Sequence, residues 1–182
     1  MQIKQENACL REGEAFILAV GRLEPQKDYR TLLEAYALSR NNGFARVVIL
    51  GEGTLKDDLR TIAEDLGISS QLMLPGYVDN PYAFMRRASV FILSSAWEGC
   101  PNVLLEAIAC GCNIISTDCP SGPRELLDGG KYGMLVPVGD ARALAAGIDS
   151  ALAGNCITYD PDSVLSDYSM ENVAKRYLIE LS

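Results

Sequence analysis

Six short apolar runs recur along the chain: AFILAV (15–20), RVVIL (46–50), QLMLPGYV (71–78), SVFIL (89–93), NIIST (113–117) and GMLVP (133–137). Each is too short for an ordinary helix, and most stop at Gly, Ser or Asp, so they read as buried strands. Between them the spacing changes to that of a helix. Residues 29–40 place Leu32, Leu33, Tyr36 and Ala37 on one face, and residues 55–66 do the same with Leu55, Leu59, Ile62, Ala63 and Leu66 before Gly67 closes the segment. A shorter helix is expected over 82–87, and helical stretches follow the later runs. Strands joined by helices must cross over and pair in parallel. Runs that are apolar throughout, instead of alternating, indicate that both faces of the sheet are covered. The expected fold class is therefore α/β: a doubly wound parallel sheet of about six strands, helices on both faces.

Composition limits what such a sheet can do. With 182 residues, 48% of them hydrophobic, the chain can bury a core of ordinary size. A net charge of −8, with 16 basic residues scattered along the sequence, argues against nucleic acid or an anionic membrane surface as partner. No apolar run approaches the roughly 18 residues of a membrane-spanning helix, and the start lacks a signal-peptide core, so a soluble chain is expected. The sequence has no His, so a reaction needing an imidazole base would have to borrow it. Cys9, Cys100, Cys110, Cys112, Cys119 and Cys156 read as reduced, mostly buried thiols, and their spacing does not suit a metal site.

Residues 1–14 form a polar lead, 15–153 the sheet domain, and 154–168 a loop before an amphipathic helix over 169–181 capped by Ser169. In an open parallel sheet, ligands bind beyond the carboxyl ends of the strands, so the loops there hold the candidate site. The first, GRLEPQKD (21–28), offers Gly21, Arg22 and Lys27 ahead of a helix start, a combination suited to phosphate or pyrophosphate; the same residues also read as ordinary solvated charges. The second, GEGTL (51–55), has glycines such as Gly51 that would let backbone approach a ligand, or would simply punctuate packing. Neither a dinucleotide fingerprint nor a P-loop is present.

The fourth loop is the most informative. In WEGCPNVLLEA (97–107), Glu98 precedes a helix starting near Pro101 and Asn102, and Glu106 sits in its second turn. Helical side chains lean toward the N-terminus, so Glu106 can reach the crevice that Glu98 lines. Carboxylates suit the vicinal hydroxyls of a sugar or ribose, which leaves the Val103 and Leu104 amides for a phosphate. Alternatively, Glu98 is merely exposed and Glu106 complements the helix dipole.

EGCPNVLLEA and ACGCNIISTDCPSGPRELL, together with AVGRLEPQKD and LPGYV, closely resemble the C-terminal, donor-binding half of the retaining glycosyltransferases of family 4 (group 1), across residues 15–181. That resemblance implies a Rossmann-like domain, the C-terminal half of a GT-B fold. By the same resemblance, Arg22 and Lys27 would bind the pyrophosphate of a nucleotide sugar and offset charge on the departing diphosphate. Glu98, Gly99, Cys100, Pro101 and Asn102 would hold the donor sugar and Glu106 the ribose. Gly76, Tyr77 and Val78 would frame the base, with Gly21, Gly51, Val103 and Leu104 at the phosphates. Neither cofactor nor metal is expected.

The family pairs this half with an N-terminal acceptor-binding domain, so the chain reads as an excised domain, its closing helix packing toward that half. Membrane contact is expected only through that half or a lipid-linked acceptor. A cytoplasmic location follows, peripheral to the inner face of the membrane for a full-length protein. The donor would be a UDP-linked hexose or N-acetylhexosamine, and the product a surface polysaccharide or glycan. Cys100 departs from the family's usual aromatic. Two other readings stand beside this one: a non-catalytic nucleotide-sugar-binding module or partner-complemented subunit, and another GT-B enzyme such as an epimerase or phosphorylase.

Overall fold

The computed structural model describes residues 10, 13–166 and 168. The six apolar runs form β1 Phe16–Val20, β2 Arg46–Leu50, β3 Leu72–Gly76, β4 Val90–Leu93, β5 Ile114–Thr117 and β6 Met134–Val136. Every neighbouring pair is parallel, in one sheet of order β3-β2-β1-β4-β5-β6. The helices are α1 Tyr29–Leu38, α2 Lys56–Asp65, α3 Tyr82–Met85, α4 Asn102–Ala109, α5 Pro123–Leu126, α6 Ala141–Leu152 and α7 Pro161–Ser166, with single 3-10 turns at Pro25–Lys27 and Asp128–Gly130. β3 ends two residues before its run does. It holds Pro75, which donates no ladder bond, and it lies at the sheet edge where that loss is tolerated.

Alternate residues of each strand feed two separate cores, which is why the strands read as unbroken apolar runs. Ile17, Ala19, Val47, Ile49 and Ile92 pack beneath Leu32, Leu33 and Tyr36 of α1, Leu59 of α2 and Ile148 of α6. Phe16, Leu18, Val48, Leu50 and Phe91 pack on the other face against Phe84 of α3 and Leu104 and Ile108 of α4. Each fully buried Leu or Ile contributes about 1.5–3 kcal/mol, so neither face can be left open. Phe16 and Phe84 meet edge to face with ring centroids 6.5 Å apart.

Local chemistry sets the helix ends. Asp28 caps α1 by accepting from the Thr31 amide at 3.3 Å and the Thr31 hydroxyl at 2.6 Å, and Asp140 caps α6 through the Ala143 amide at 2.9 Å. Gly67 ends α2 at φ +70°, its amide donating to the Glu64 carbonyl at 3.0 Å, which is the closing role its position in the sequence suggests.

Two expectations need correction. The 154–168 segment contains α7, where Pro161 supplies a first-turn φ and the Val164 amide donates to the Asp160 carbonyl at 3.2 Å. Val164 is buried and α7 packs on α4. The thiols are free, but they are not mostly buried: among the described cysteines Cys112 and Cys119 are buried, Cys110 is half-buried, and Cys100 and Cys156 are exposed. The expected helix over 169–181, its Ser169 cap, Cys9 and most of the polar lead lie outside the described residues. Among the described residues no helix is long and apolar enough to cross a membrane.

Candidate functional site

β1 lies between β2 and β4, so the chain reverses its direction of winding at β1/β4, and the loops leaving these strands diverge to open a crevice. A cleft of about 470 Å³ occupies it. Gly21 and Arg22 after β1, Gly51 and Glu52 after β2, Tyr77, Val78 and Asp79 after β3, and Glu106 of α4 line it. Residues from four separate loops or helices are therefore brought to one place. Glu106 does reach back to the crevice from the second turn of α4. Burial pushes its carboxyl above the usual range, because desolvation penalises the charged form. Arg22 is exposed, and neither its side chain nor that of Glu106 has an ion pair or hydrogen bond among the described residues.

The floor of the cleft is main chain. The Gly21 amide donates to the Leu50 carbonyl at 2.9 Å, the Leu23 amide to Glu52 at 2.8 Å and the Gly51 amide to Gly76 at 2.8 Å, carrying the sheet ladder past the strand ends. Gly51, at φ +138°, has no room for a side chain, since a Cβ would run into the Gly21 carbonyl. A Cβ on Gly53 would likewise meet the Leu23 backbone. Of the two roles open to the GEG glycines, the packing of loop on loop is therefore the visible one. Gly76 ends β3 and leaves Tyr77 and Val78 of the run in the loop; it is buried beside the Glu52 side chain.

Lys27 and Glu98 form a second cluster beside this cleft, and they face each other. Lys27 Nζ lies 2.5 Å from Glu98 Oε1, with side chains only 13% and 6% exposed. The same carboxylate accepts from the Ser95 hydroxyl at 2.6 Å and from Gln26 Nε2 at 3.3 Å. The two loops are also stitched by backbone: Ser94 Oγ donates to the Lys27 carbonyl at 2.7 Å, the Ala96 amide to the Gln26 carbonyl at 2.9 Å and Gln26 Nε2 to the Trp97 carbonyl at 3.0 Å. Tyr29 enters from below, and its hydroxyl is buried without a hydrogen-bond partner. Burial, reinforced by the nearby Glu98 charge, raises the pKa of that phenol.

The expected two-cation anion site is thus not assembled in this arrangement. Arg22 faces the cleft, Lys27 is committed to Glu98, and of the first-turn amides of α1 the Thr31 N–H is taken by Asp28. The α4 start differs in a similar way from the expected pair of open amides. Leu104 N–H turns back to the Pro101 carbonyl at 2.8 Å, while the Val103 amide has no partner among the described residues. Gly99, Cys100 and Asn102 are exposed on the rim, and the Cys100 thiol lies 3.5 Å from Asn102 Oδ1. Pro101 is buried and caps α4, with Gly122, at φ +98°, packed against its ring.

Sequence reading passed over Glu52, Asp79, Tyr82, Gln26, Ser95 and Tyr29. Gln26 adjoins Lys27, already singled out, and the position of Ser95 just past the end of a strand run is a usable signal. Glu52 and Asp79 adjoin Gly51 and Val78, named above, yet their types do not mark a role; they meet at the cleft because β2 and β3 are neighbours. No group of His, Cys, Asp and Glu among the described residues is placed to hold a metal ion.

With that geometry in place, comparison with known proteins is informative. The family described as "Glycosyl transferases group 1" matches residues 2–166. The N-acetylgalactosamine-N,N'-diacetylbacillosaminyl-diphospho-undecaprenol 4-alpha-N-acetylgalactosaminyltransferase of Campylobacter jejuni is 38% identical over 139 residues, covering 76% of this chain and 38% of that protein. The lipopolysaccharide core biosynthesis glycosyltransferase LpsE of Rhizobium meliloti is 31% identical over 167 residues, covering 89% of this chain and 48% of the relative. Among solved structures, the lipopolysaccharide outer core galactosyltransferase WaaB in its apo form superposes with a TM-score of 0.79 at 26% identity, over 92% of this chain and 49% of its own. Anabaena HepE, solved in complex with UDP and glucose, superposes with a TM-score of 0.82 at 19% identity over 99% of this chain and 51% of its own, a likeness of fold alone. The chain spans less than half the length of these curated relatives.

Proposed function

Because the chain belongs to the group 1 glycosyl transferases and has the Rossmann-like sheet of a GT-B half, we propose that it is the donor-binding domain of a retaining glycosyltransferase. It would take a hexose or N-acetylhexosamine from a nucleotide sugar, UDP-linked, to a saccharide or lipid-linked acceptor in surface polysaccharide or glycan biosynthesis. The observation that carries this reading is the unpaired Glu106 carboxylate facing the unpaired Arg22 across the switch-point cleft. A carboxylate that can accept two bonds from a vicinal diol, opposite a guanidinium that can take a diphosphate, matches the two ends of a nucleoside diphosphate.

In this reading the ribose sits on Glu106 and the base against Gly76, Tyr77 and Val78. The diphosphate runs along Gly21, Gly51 and Arg22 toward the Val103 amide. The sugar lies over Glu98, Gly99, Cys100, Pro101 and Asn102. As the bond from the anomeric carbon to the diphosphate oxygen breaks, negative charge grows on the leaving group, and Arg22 together with Lys27 would stabilise it without a metal. Lys27 must first exchange Glu98 for the anion.

The Campylobacter relative is named for a lipid diphosphate acceptor and HepE was solved with UDP, and both support this substrate class. An acceptor-binding domain facing the cleft would belong to the same polypeptide, in keeping with relatives about twice as long, and the enzyme would act in the cytoplasm at the inner face of the membrane. The isolated chain would bind donor yet turn over slowly. The buried Lys27–Glu98 pair favours, as a second reading, a module that binds nucleotide sugar without catalysis.

Calorimetric titration with UDP, GDP, ADP and uridine tests the proposal. UDP should bind more tightly than uridine, Glu106→Ala should weaken both by about 1–3 kcal/mol, and Arg22→Ala should weaken UDP alone. Equal losses for UDP and uridine in Arg22→Ala would remove the diphosphate assignment.

A further inference from the structure

Tyr29 is 3% exposed, yet its hydroxyl has no hydrogen-bond partner. A buried hydroxyl left unpaired is costly, and such groups call for an explanation at the place they point to. This one points at the site. A Cβ built on Gly21 would lie 3.0 Å from Tyr29 Oη and 2.9 Å from Lys27 Cε, so the phenol oxygen and the end of the lysine stem flank the same glycine that lines the cleft. The Glu98 charge is felt at the phenol as well.

While Glu98 holds the Lys27 ammonium, its charge is offset by a carboxylate and its pull on a diphosphate is weakened. To reach the Gly21–Arg22 side it must turn about its last bonds, on a stem that already lies beside Gly21 and the Tyr29 hydroxyl. Resting on the donor-binding reading above, we propose that Tyr29 is a positioning residue: its hydroxyl accepts a hydrogen bond from Lys27 Nζ once the lysine leaves Glu98, and so holds the ammonium against the diphosphate. The orphan oxygen then has a partner only in the anion-bound arrangement. Lys27 trades one acceptor for two, the phenol and a phosphate oxygen, while Glu98 keeps Ser95 and Gln26 as donors and turns to the sugar.

Tyr29→Phe removes the oxygen and keeps the ring, so the core should be undisturbed and the melting temperature should equal or exceed that of the wild type. The expected result is a 3- to 10-fold weaker UDP affinity with uridine affinity unchanged. In a Lys27→Met background, Tyr29→Phe should have no further effect on UDP, an outcome that a merely structural tyrosine would not give. If Lys27→Met weakens UDP and Tyr29→Phe does not, or if Tyr29→Phe weakens UDP equally in both backgrounds, the positioning role is overturned and the donor reading stands. If neither the wild type nor Lys27→Met distinguishes UDP from uridine, the diphosphate reading fails and this role falls with it.

Discussion

Glu98→Gln tests the pair at the centre of the site. The substitution keeps the shape of the side chain but leaves the Lys27 ammonium, 13% exposed, without its counter-charge. Breaking a buried ion pair by removing one partner typically costs about 3–5 kcal/mol. The lower end applies here, because Lys27 retains some access to water and the new amide oxygen can still accept from Ser95. About 3 kcal/mol corresponds to a fall in melting temperature of roughly 6–12 °C for a chain of this size. Lys27→Met, the complementary change, strands a carboxylate that keeps two neutral donors, and should cost somewhat less. The double variant removes both charges at once, so its cost should fall well short of the sum, with a coupling of at least about 1.5 kcal/mol. Urea denaturation followed by the fluorescence of Trp97, the only tryptophan of the sequence and a neighbour of Glu98, reports the change directly. Additivity within about 0.5 kcal/mol would refute the reasoning, since it would mean that the two groups do not face each other in solution.

Other expectations follow from the same geometry. Glu106 has a raised pKa from desolvation, so the folded state holds its proton more tightly than the unfolded chain, and the associated stability is present below the ordinary value of 4.5 and lost as pH rises through the raised one. Stability of Glu106→Gln against pH should lack that decline, while affinity of the wild type for uridine should increase over the same interval as the carboxylate forms; parallel curves for the two proteins would contradict it. Gly51→Ala should destabilise by roughly 3 kcal/mol or more, because its Cβ meets backbone, which cannot step aside. Gly122→Ala pushes on the Pro101 ring at the start of α4, and should weaken UDP binding beyond its effect on melting temperature; unaltered affinity would show that the α4 start does not report to the site.

The strands were legible because each is an apolar run bounded by polar or turn residues, and a parallel sheet covered on both faces tolerates little else in those positions. Glu106 was legible too, since a helix start and a fixed rise place its side chain. The Lys27–Glu98 pair was not: the partners are 71 residues apart, and each taken alone is a charge at a strand end that could as well face a ligand. Only the adjacency of β1 and β4 brings their loops together. The Leu104 amide was misjudged for a related reason, because a helix start suggests open amides while Pro101 bends the chain so that its own carbonyl takes one. α7 stayed hidden behind Asp and Ser, residues that suggest loop unless the burial of one side chain, Val164, is known.

The backbone floor of the cleft has a consequence for how this protein can diverge. Its shape is fixed by amides and carbonyls of Gly21, Leu23, Leu50, Gly51, Glu52 and Gly76, which a change of side chain leaves in place, and by Gly51 and Gly53, where a Cβ would meet backbone. The side chains around it, Glu52, Tyr77 and Asp79, are all exposed and bear little of the architecture. A lineage could exchange these freely while inheriting the same backbone seat for whatever they select.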